Sequence, residues 1–364
     1  MLKQAPIVPE HLHTGAPSMK SLLCIGLIFF LTVLAESAPA CTVIRIHHSG
    51  HLIVARNHDW NTGGGLLIVN PRGIEKTAIT PIAPAQWTSR YGSVSFAQFG
   101  REIPFAGMNE KGLTVDLLQL NDASFPTNAN GKPSVNVVQW VQYQLDNSAT
   151  VDEVIQSLDE VTPMPFIARL EKVHYFITDA SGDVAIIEYI NGKPIVQHDS
   201  TNACALANST WTASSRARQH GRPNNNSERR FLQACSFANE PLSDTPIEDA
   251  MQALDDVAQA HTQWNLVYEP QNLRITFQTR RTPKRRWIDF EDLTFTAGSD
   301  VVCIDINAPV EGNVFPHLLS FEREANKMIV DDAFDAIIPP GMIRSTIKEM
   351  VLNYGDALEP TLVQ

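Results

Sequence analysis

Cys41 follows the triplet Ala38-Pro39-Ala40 and precedes, across a turn signal at Ser49-Gly50, the run Arg56-Asn57-His58-Asp59-Trp60. A small-x-small triplet is the pattern that signal peptidase cuts after. A cut there makes Cys41 the first residue of the mature chain. Its thiol and its own α-amino group then sit on one residue, which pairs a nucleophile with a base and needs no histidine. The amine titrates at about 8 and the thiol at about 8.5, so both exchange protons close to neutrality.

These residues must be positioned by a hairpin. Ile44 and Ile46 alternate with Arg45 and His47, which predicts a half-buried strand, and Leu52-Ile53-Val54 predicts its returning partner. A two-residue loop at Ser49-Gly50 pairs His48 with His51. Carried back along the ladder, that register sets Cys41 opposite His58, flanked by Asn57 and Asp59, at roughly 5 Å. A slip of one residue would exchange the members that face the thiol, so the hairpin gathers the cluster without choosing among them. His47, His48, His51, His58 and Asp59 also crowd this hairpin, and imidazoles ligate zinc. Strand alternation sends His47 and His48 to opposite faces, and no helical His-Glu-x-x-His accompanies them. No metal site and no cofactor are assigned. A metal- or ligand-binding periplasmic protein without catalysis is the competing reading.

Leu22 to Leu34 is an apolar run preceded by Lys20 and followed by the small-residue triplet. It reads as a signal peptide and not as a spanning helix, with Met19 as the start and residues 1–40 removed. The remaining residues, 41–364, are read as one catalytic domain with a sizeable core. Lys3 and Lys20 cancel Glu10 and Glu36 in the leader, so the net charge of −12 stays with the mature chain. Such an acidic surface argues against nucleic acid or an anionic membrane as partner. Ala38-Pro39-Ala40-Cys41 is a poor lipidation site, so no stable membrane anchor is expected. Cys204, Cys235 and Cys303 accompany Cys41; in an oxidising compartment, with Cys41 free, at most one pair forms among the three.

Further along, Thr62-Gly63-Gly64-Gly65 lacks the spacing of a phosphate-binding loop. Residues 66–69, 93–98 and 113–120 predict strands, and 121–133 a polar loop of the kind that lines pockets. Helices are predicted over 135–145, from a Thr150 cap, and over 246–260. Residues 173–178 and 184–189 flank a hairpin turn, as do 265–268 and 274–279. Residues 214–230 read as a basic, solvated loop. Hairpins, a helix pair and more hairpins predict an α+β domain with stacked antiparallel sheets.

Cys41 and Arg56-Asn57-His58-Asp59 resemble the mature start of the choloylglycine hydrolase family, which includes penicillin V acylases and conjugated bile-salt hydrolases. The similarity continues through Gly107-Met108-Asn109-Glu110-Lys111-Gly112-Leu113, His174-Tyr175-Phe176, Asp179-Ala180-Ser181-Gly182 and Glu188. It extends to Ala205-Leu206-Ala207-Asn208-Ser209, Ser227-Glu228-Arg229-Arg230-Phe231, Thr262-Gln263-Trp264 and 275–279. The resemblance implies an αββα four-layer sandwich and an exported, periplasmic amidase acting through an acyl-thioester on Cys41. By position, Arg56 favours the thiolate, Asp59 holds the α-amino group, Asn208 donates to the oxyanion and Arg230 supports the charges. Gln119 stands where bile-salt members often carry a second oxyanion asparagine, and with Trp60 it is expected to meet substrate. The implied substrate is a small N-acyl amide such as penicillin V, an N-acyl homoserine lactone or a conjugated bile salt. Family members are often homotetramers.

Overall fold

Two large sheets stack face to face. One runs, edge to edge, through Ala205–Leu206, Thr42–His48, His51–Asp59, Thr262–Glu269, Arg274–Thr279, Arg286–Asp289 and Gly312–Asn313, antiparallel but for the last pair. The other runs through Lys193–His198, Val184–Ile190, Val173–Thr178, Thr114–Gln119, Pro104–Asn109, Ser93–Ala97, Leu66–Asn70, Val302–Asp305 and Leu319–Ser320. The structure, a computed structural model, describes residues 40–358 apart from 49, 81 and 130. The predicted signal peptide, its Met19 start and all of the cleavage triplet but Ala40 lie outside the described residues.

The hydrophobic pattern explains the layering. Val43, Val54, Leu266 and Phe277 of the first sheet meet Leu67, Phe96, Met108 and Phe176 of the second. On the first sheet's outer face Ile44, Ile46 and Ala55 pack against Phe231 and Ala234 of the Asn226–Ala238 helix and Leu254 of the Pro246–Asp256 helix. On the second sheet's outer face Val115, Tyr175 and Ile187 meet Trp140 and Leu145 of the Gln139–Asn147 helix. The result is the four-layer αββα sandwich that the family resemblance implies, and each fully buried aliphatic in it contributes about 1.5–3 kcal/mol.

The first two strands, β1 (Thr42–His48) and β2 (His51–Asp59), pair in the predicted register, with His48 opposite His51 and Thr42 opposite Asn57. Gly50 takes the positive φ of 85° that the turn requires. The prediction of a half-buried β1 is corrected. Thr42 to Ile46 are all buried, because a sheet covered by another sheet on one side and by helices on the other has no wet face. Two guanidinium nitrogens of Arg45 donate there to the carbonyls of Gly182 and, at 3.1 Å, Ser200.

Residues 214–230 are also corrected: they belong to two helices, Trp211–His220 and Asn226–Ala238. Thr210 and Asn225 cap them by accepting from the N–H groups of Ala213 and Glu228. The polar content that reads as a loop is the outer face, while Phe231, Ala234, Cys235 and Ala238 turn inward at helical spacing. The helix predicted over 246–260 ends at Asp256, and the one predicted over 135–145 begins at Gln139, after the short strand Ser134–Asn136. Two C-terminal helices, Arg323–Ile337 and Met342–Asp356, had no counterpart in the sequence reading.

Candidate active site

The parity of the β1–β2 ladder sorts the predicted cluster. Val43 and Arg56 are cross-strand partners, and the same register puts Cys41 with His58. Cys41, Arg56 and His58 therefore share the face between the sheets, while Asn57 and Asp59 share the helix-covered face with Ile44. The hairpin brings a thiol beside a buried guanidinium: Arg56 Nη2 lies 3.8 Å from Cys41 Sγ. Arg56 is fixed by donating to the Phe105 carbonyl at 2.6 Å and the Leu117 carbonyl at 2.8 Å, and by pairing with Asp116 at 3.2 Å.

His58 lies beside the same guanidinium, its Nδ1 3.5 Å from Arg56 Nη2 and its Nε2 3.1 Å from Gln98 Oε1. Burial, reinforced by the charge of Arg56, pushes its pKa down to about 3. It stays neutral and is no proton acceptor near neutral pH. The hairpin histidines do not converge either. His47 contacts Arg45, His48 and His51 are exposed, and His58 is buried.

Burial raises the Cys41 pKa and the Asp59 carboxylate adds to the rise, while Arg56, as expected of a group favouring the thiolate, pulls it down together with a backbone N–H of Asp59 and Arg230. The guanidinium lowers the penalty for ionisation without removing it, so the sulfur needs a base when it reacts.

Asp59 is buried between β2 and the helical layer. Its Oδ1 accepts from Thr262 Oγ1 at 2.5 Å, while Oδ2 has no partner among the described residues. Burial raises its pKa to about 6 against the pull of Thr262, Arg230 and Arg56. An unpartnered buried carboxylate oxygen beside Cys41 is a vacant acceptor for a donor group.

Arg230 closes the cluster from the helix side. It donates to the Cys41 carbonyl at 2.7 Å, to Thr42 Oγ1, to Asn226 Oδ1 at 2.9 Å and to Asn208 Oδ1 at 2.8 Å. Because guanidinium only donates, it fixes which way the Asn208 amide points. Asn208 Nδ2 then faces away and donates to the Gln119 carbonyl at 2.8 Å, which uses one of its two hydrogens. Asn208 N donates to Ser227 Oγ at 2.8 Å. The preceding carbonyl, of Ala207, contacts His174 Nε2 at 2.8 Å, and Glu188 pairs with His174 while accepting from Trp211 N. The His174 and Glu188 motifs are therefore the fittings that hold the Asn208 segment against the second sheet. The Cys204–Cys235 disulfide, with Cα atoms 5.3 Å apart, ties the same segment to the Arg230 helix; Cys41 and Cys303 are free.

The Gly107–Leu113 motif plays a supporting part. Asn109 donates to the carbonyls of Leu145 and Ser148 and accepts from the N–H groups of Lys111 and Leu113. A Cβ on Gly107 would meet Leu145 at 2.6 Å and the Val94 carbonyl at 2.8 Å, so only glycine lets the helix sit this close to the sheet.

Cys41 opens onto a cavity of about 140 Å³, lined mostly by apolar side chains, among them Trp60, Phe105 and Leu117, with Gln119, Asn136, Glu171 and Lys172 as polar members. Trp60 and Gln119, the residues expected to meet substrate, line the same cavity as the thiol. Trp87 donates to Asp146 at 2.8 Å, and Phe96 packs on Phe277 between the sheets. Residues 123–127 of the predicted pocket loop line a separate surface groove. Sequence reasoning missed Thr262 and Asp116 as partners of Asp59 and Arg56. Thr262 stood in a family-like segment without a role, and Asp116 among the alternating residues of a predicted strand.

The four-layer fold is that of the N-terminal nucleophile hydrolases. Residues 41–216, a segment that begins with Cys41, match the model of the family described as linear amide C–N hydrolases, choloylglycine hydrolase family. A penicillin V acylase of Pectobacterium atrosepticum is 35% identical over 208 residues, covering 52% of this chain and 55% of that protein. The chain thus spans about half the length of that curated relative. The structure of penicillin V acylase from Agrobacterium tumefaciens superposes with a TM-score of 0.67 at 27% identity, over 78% of this chain and 98% of that one. A conjugated bile acid hydrolase variant from Clostridium perfringens gives 0.62 at 16% identity, over 74% and 98%, a likeness of fold.

Proposed function

We propose that this protein is an exported cysteine amidase that hydrolyses the amide bond of a small N-acyl compound through an acyl-thioester on Cys41. Penicillin V, N-acyl homoserine lactones and conjugated bile salts are the candidate substrates. The observation that carries this reading is the convergence of Arg56, Asp59, Arg230 and, through Arg230, Asn208 around Cys41, which itself lines a largely apolar cavity.

The chemistry follows from the groups in place. With residues 1–40 removed, the Cys41 amine takes the thiol proton, and Asp59 Oδ2 holds the resulting ammonium. Sulfur attacks the amide carbonyl, and the remaining Nδ2 hydrogen of Asn208 meets the developing oxyanion. Arg56 steadies the thiolate as it forms. Collapse breaks the C–N bond, and the departing amine takes a proton from the ammonium. The amine then deprotonates a water that attacks the thioester, which releases the acid and restores the thiol. Trp60 and Gln119 contact the acyl group along the cavity wall. Export to the periplasm is part of the proposal and is supported by the disulfide, since such bonds persist in oxidising compartments. No helix among the described residues is long and apolar enough to cross a membrane.

The test is hydrolysis of a panel of the three substrate classes by the wild type and by Cys41→Ala, with intact mass of the secreted protein. We expect turnover of at least one class, none by the variant, and a mature chain starting at Cys41. Activity retained by Cys41→Ala would refute the assignment.

A further inference from the structure

The cavity beside Cys41 is lined in part by the segment 166–173, which brings Glu171 and Lys172, and otherwise by two walls of different origin. One comes from the sandwich, with Trp60, Phe105 and Leu117. The other comes from the two C-terminal helices, Arg323–Ile337 and Met342–Asp356, which lie outside the segment 41–216 that matches the family. They contribute Phe334, Ile337, Ile338, Ile347, Met350 and Val351, all apolar. An unbroken run of aromatic contacts joins the two walls. His58 meets Phe105 at 5.1 Å, Phe105 meets Phe99 at 5.4 Å, and Phe99 meets Phe334 at 5.1 Å between ring centroids.

The helical pair is built to hold that wall in place. Its outer side is laced by ion pairs from Arg323 to Glu349 and Asp356, from Lys348 to Asp331 and Asp335, and from Arg344 to Asp335. Its base is clamped to the sandwich by buried groups. Arg101 donates to the carbonyls of Gly355 and Leu358, both at 3.1 Å, and Asn326 Oδ1 accepts from Arg101 N at 2.9 Å. Its far end, Pro339 to Ile343, is exposed, with Met342 and Ile343 bare. The apolar face therefore stands fixed opposite the thiol, with no charged side chain of either helix among the groups lining the cavity.

We infer that the C-terminal helical pair is the specificity element of this enzyme: it forms the distal wall of the acyl site and selects amides whose acyl group is apolar and extended. The inference rests on the amidase reading and names the part of the substrate that reading leaves open. An acyl chain reaching past Phe105 leaves water for contact with Phe334, Ile347 and Met350, and a short or polar acyl group does not. Each methylene buried there favours the longer substrate by severalfold.

The experiment uses 4-nitroanilides of acetic, hexanoic and decanoic acids, which keep the leaving amine constant. The full mature chain is compared with Met350→Trp, which fills the wall at a half-buried position, and with Phe334→Ala, which opens it. For the wild type, kcat/KM should rise at least tenfold from acetyl to the better of the longer chains. Met350→Trp should lower the decanoyl-to-hexanoyl ratio of kcat/KM at least fivefold, and Phe334→Ala should reduce the advantage of hexanoyl over acetyl. If Met350→Trp does not fold, Ile338→Ala, which only removes side chain, is expected to reduce the decanoyl preference instead. A wild type that cleaves none of the series, nor the panel above, overturns the amidase reading. A wild type that cleaves them with no acyl preference, or folded variants with unchanged ratios, overturns the role of the helical pair and leaves the amidase reading standing.

Discussion

At the scale of single residues, the site is a set of groups whose surroundings oppose their charged forms. Cys41 and Asp59 are both raised by burial, and His58 is driven neutral by it. In the proposed mechanism base chemistry then falls to the α-amine, with a carboxylate to orient it. Asp59 must be ionised for that, and ionisation is lost as pH falls through its pKa of about 6. An ammonium next to it pulls that value down. We therefore expect kcat/KM to fall on the acid side with a midpoint between the ordinary carboxylate value and about 6. In Asp59→Asn, activity should be low at every pH and this limb should vanish. The amide of Asn208 is aimed by Arg230, so Asn208→Ala should lower kcat about 100- to 1000-fold with little change in thermal stability, read by steady-state kinetics and a melting curve.

Among elements, the Asn208 segment depends on others for its place. His174 and Glu188 hold it from the second sheet, and the disulfide holds it from the helix carrying Arg230. Replacing both Cys204 and Cys235 with alanine should lower unfolding stability by about 3–4 kcal/mol, the loop-closure term for this separation, measured by urea titration without reductant. The legibility of the site divides along the same line. The β1–β2 register could be read because a two-residue turn fixes every pair after it, and it put Cys41 with its neighbours correctly. The faces could not, since a strand buried on both sides keeps polar residues such as Arg45 inside and mimics an amphipathic one. The Arg230 helix was hidden by its wet face, and Asp116 by lying 60 residues from the arginine it pairs with. The layered fold, by contrast, came from the resemblance, for hairpins and helices alone give α+β without saying how the sheets stack.

For the whole molecule, the attachment of the C-terminal helices depends on a buried group of charges. Lys76 lies between Glu102 at 2.6 Å and Asp146 at 2.8 Å, all three without solvent contact. Glu102 adjoins Arg101, which grips the last helix, and adopts a positive φ of 71°. Lys76→Met would leave two carboxylates facing each other in the interior. Removal of one member of such a cluster costs about 3–5 kcal/mol. We expect that loss in chemical denaturation, together with weakened protection of residues 323–358 in hydrogen exchange.

The covalent tie between Cys204 and Cys235 encloses both Asn208 and Arg230, together with the exposed stretch from Gly221 to Asn226. A protease that nicks this stretch opens the backbone but leaves the two fragments bolted together, each still carrying one half of the pair around Cys41. Such a cut would be invisible on a gel run without reductant and would show as two pieces once thiol is added. An exposed bend between Asn208 and Arg230 is thereby one whose cleavage leaves both halves of the chain joined.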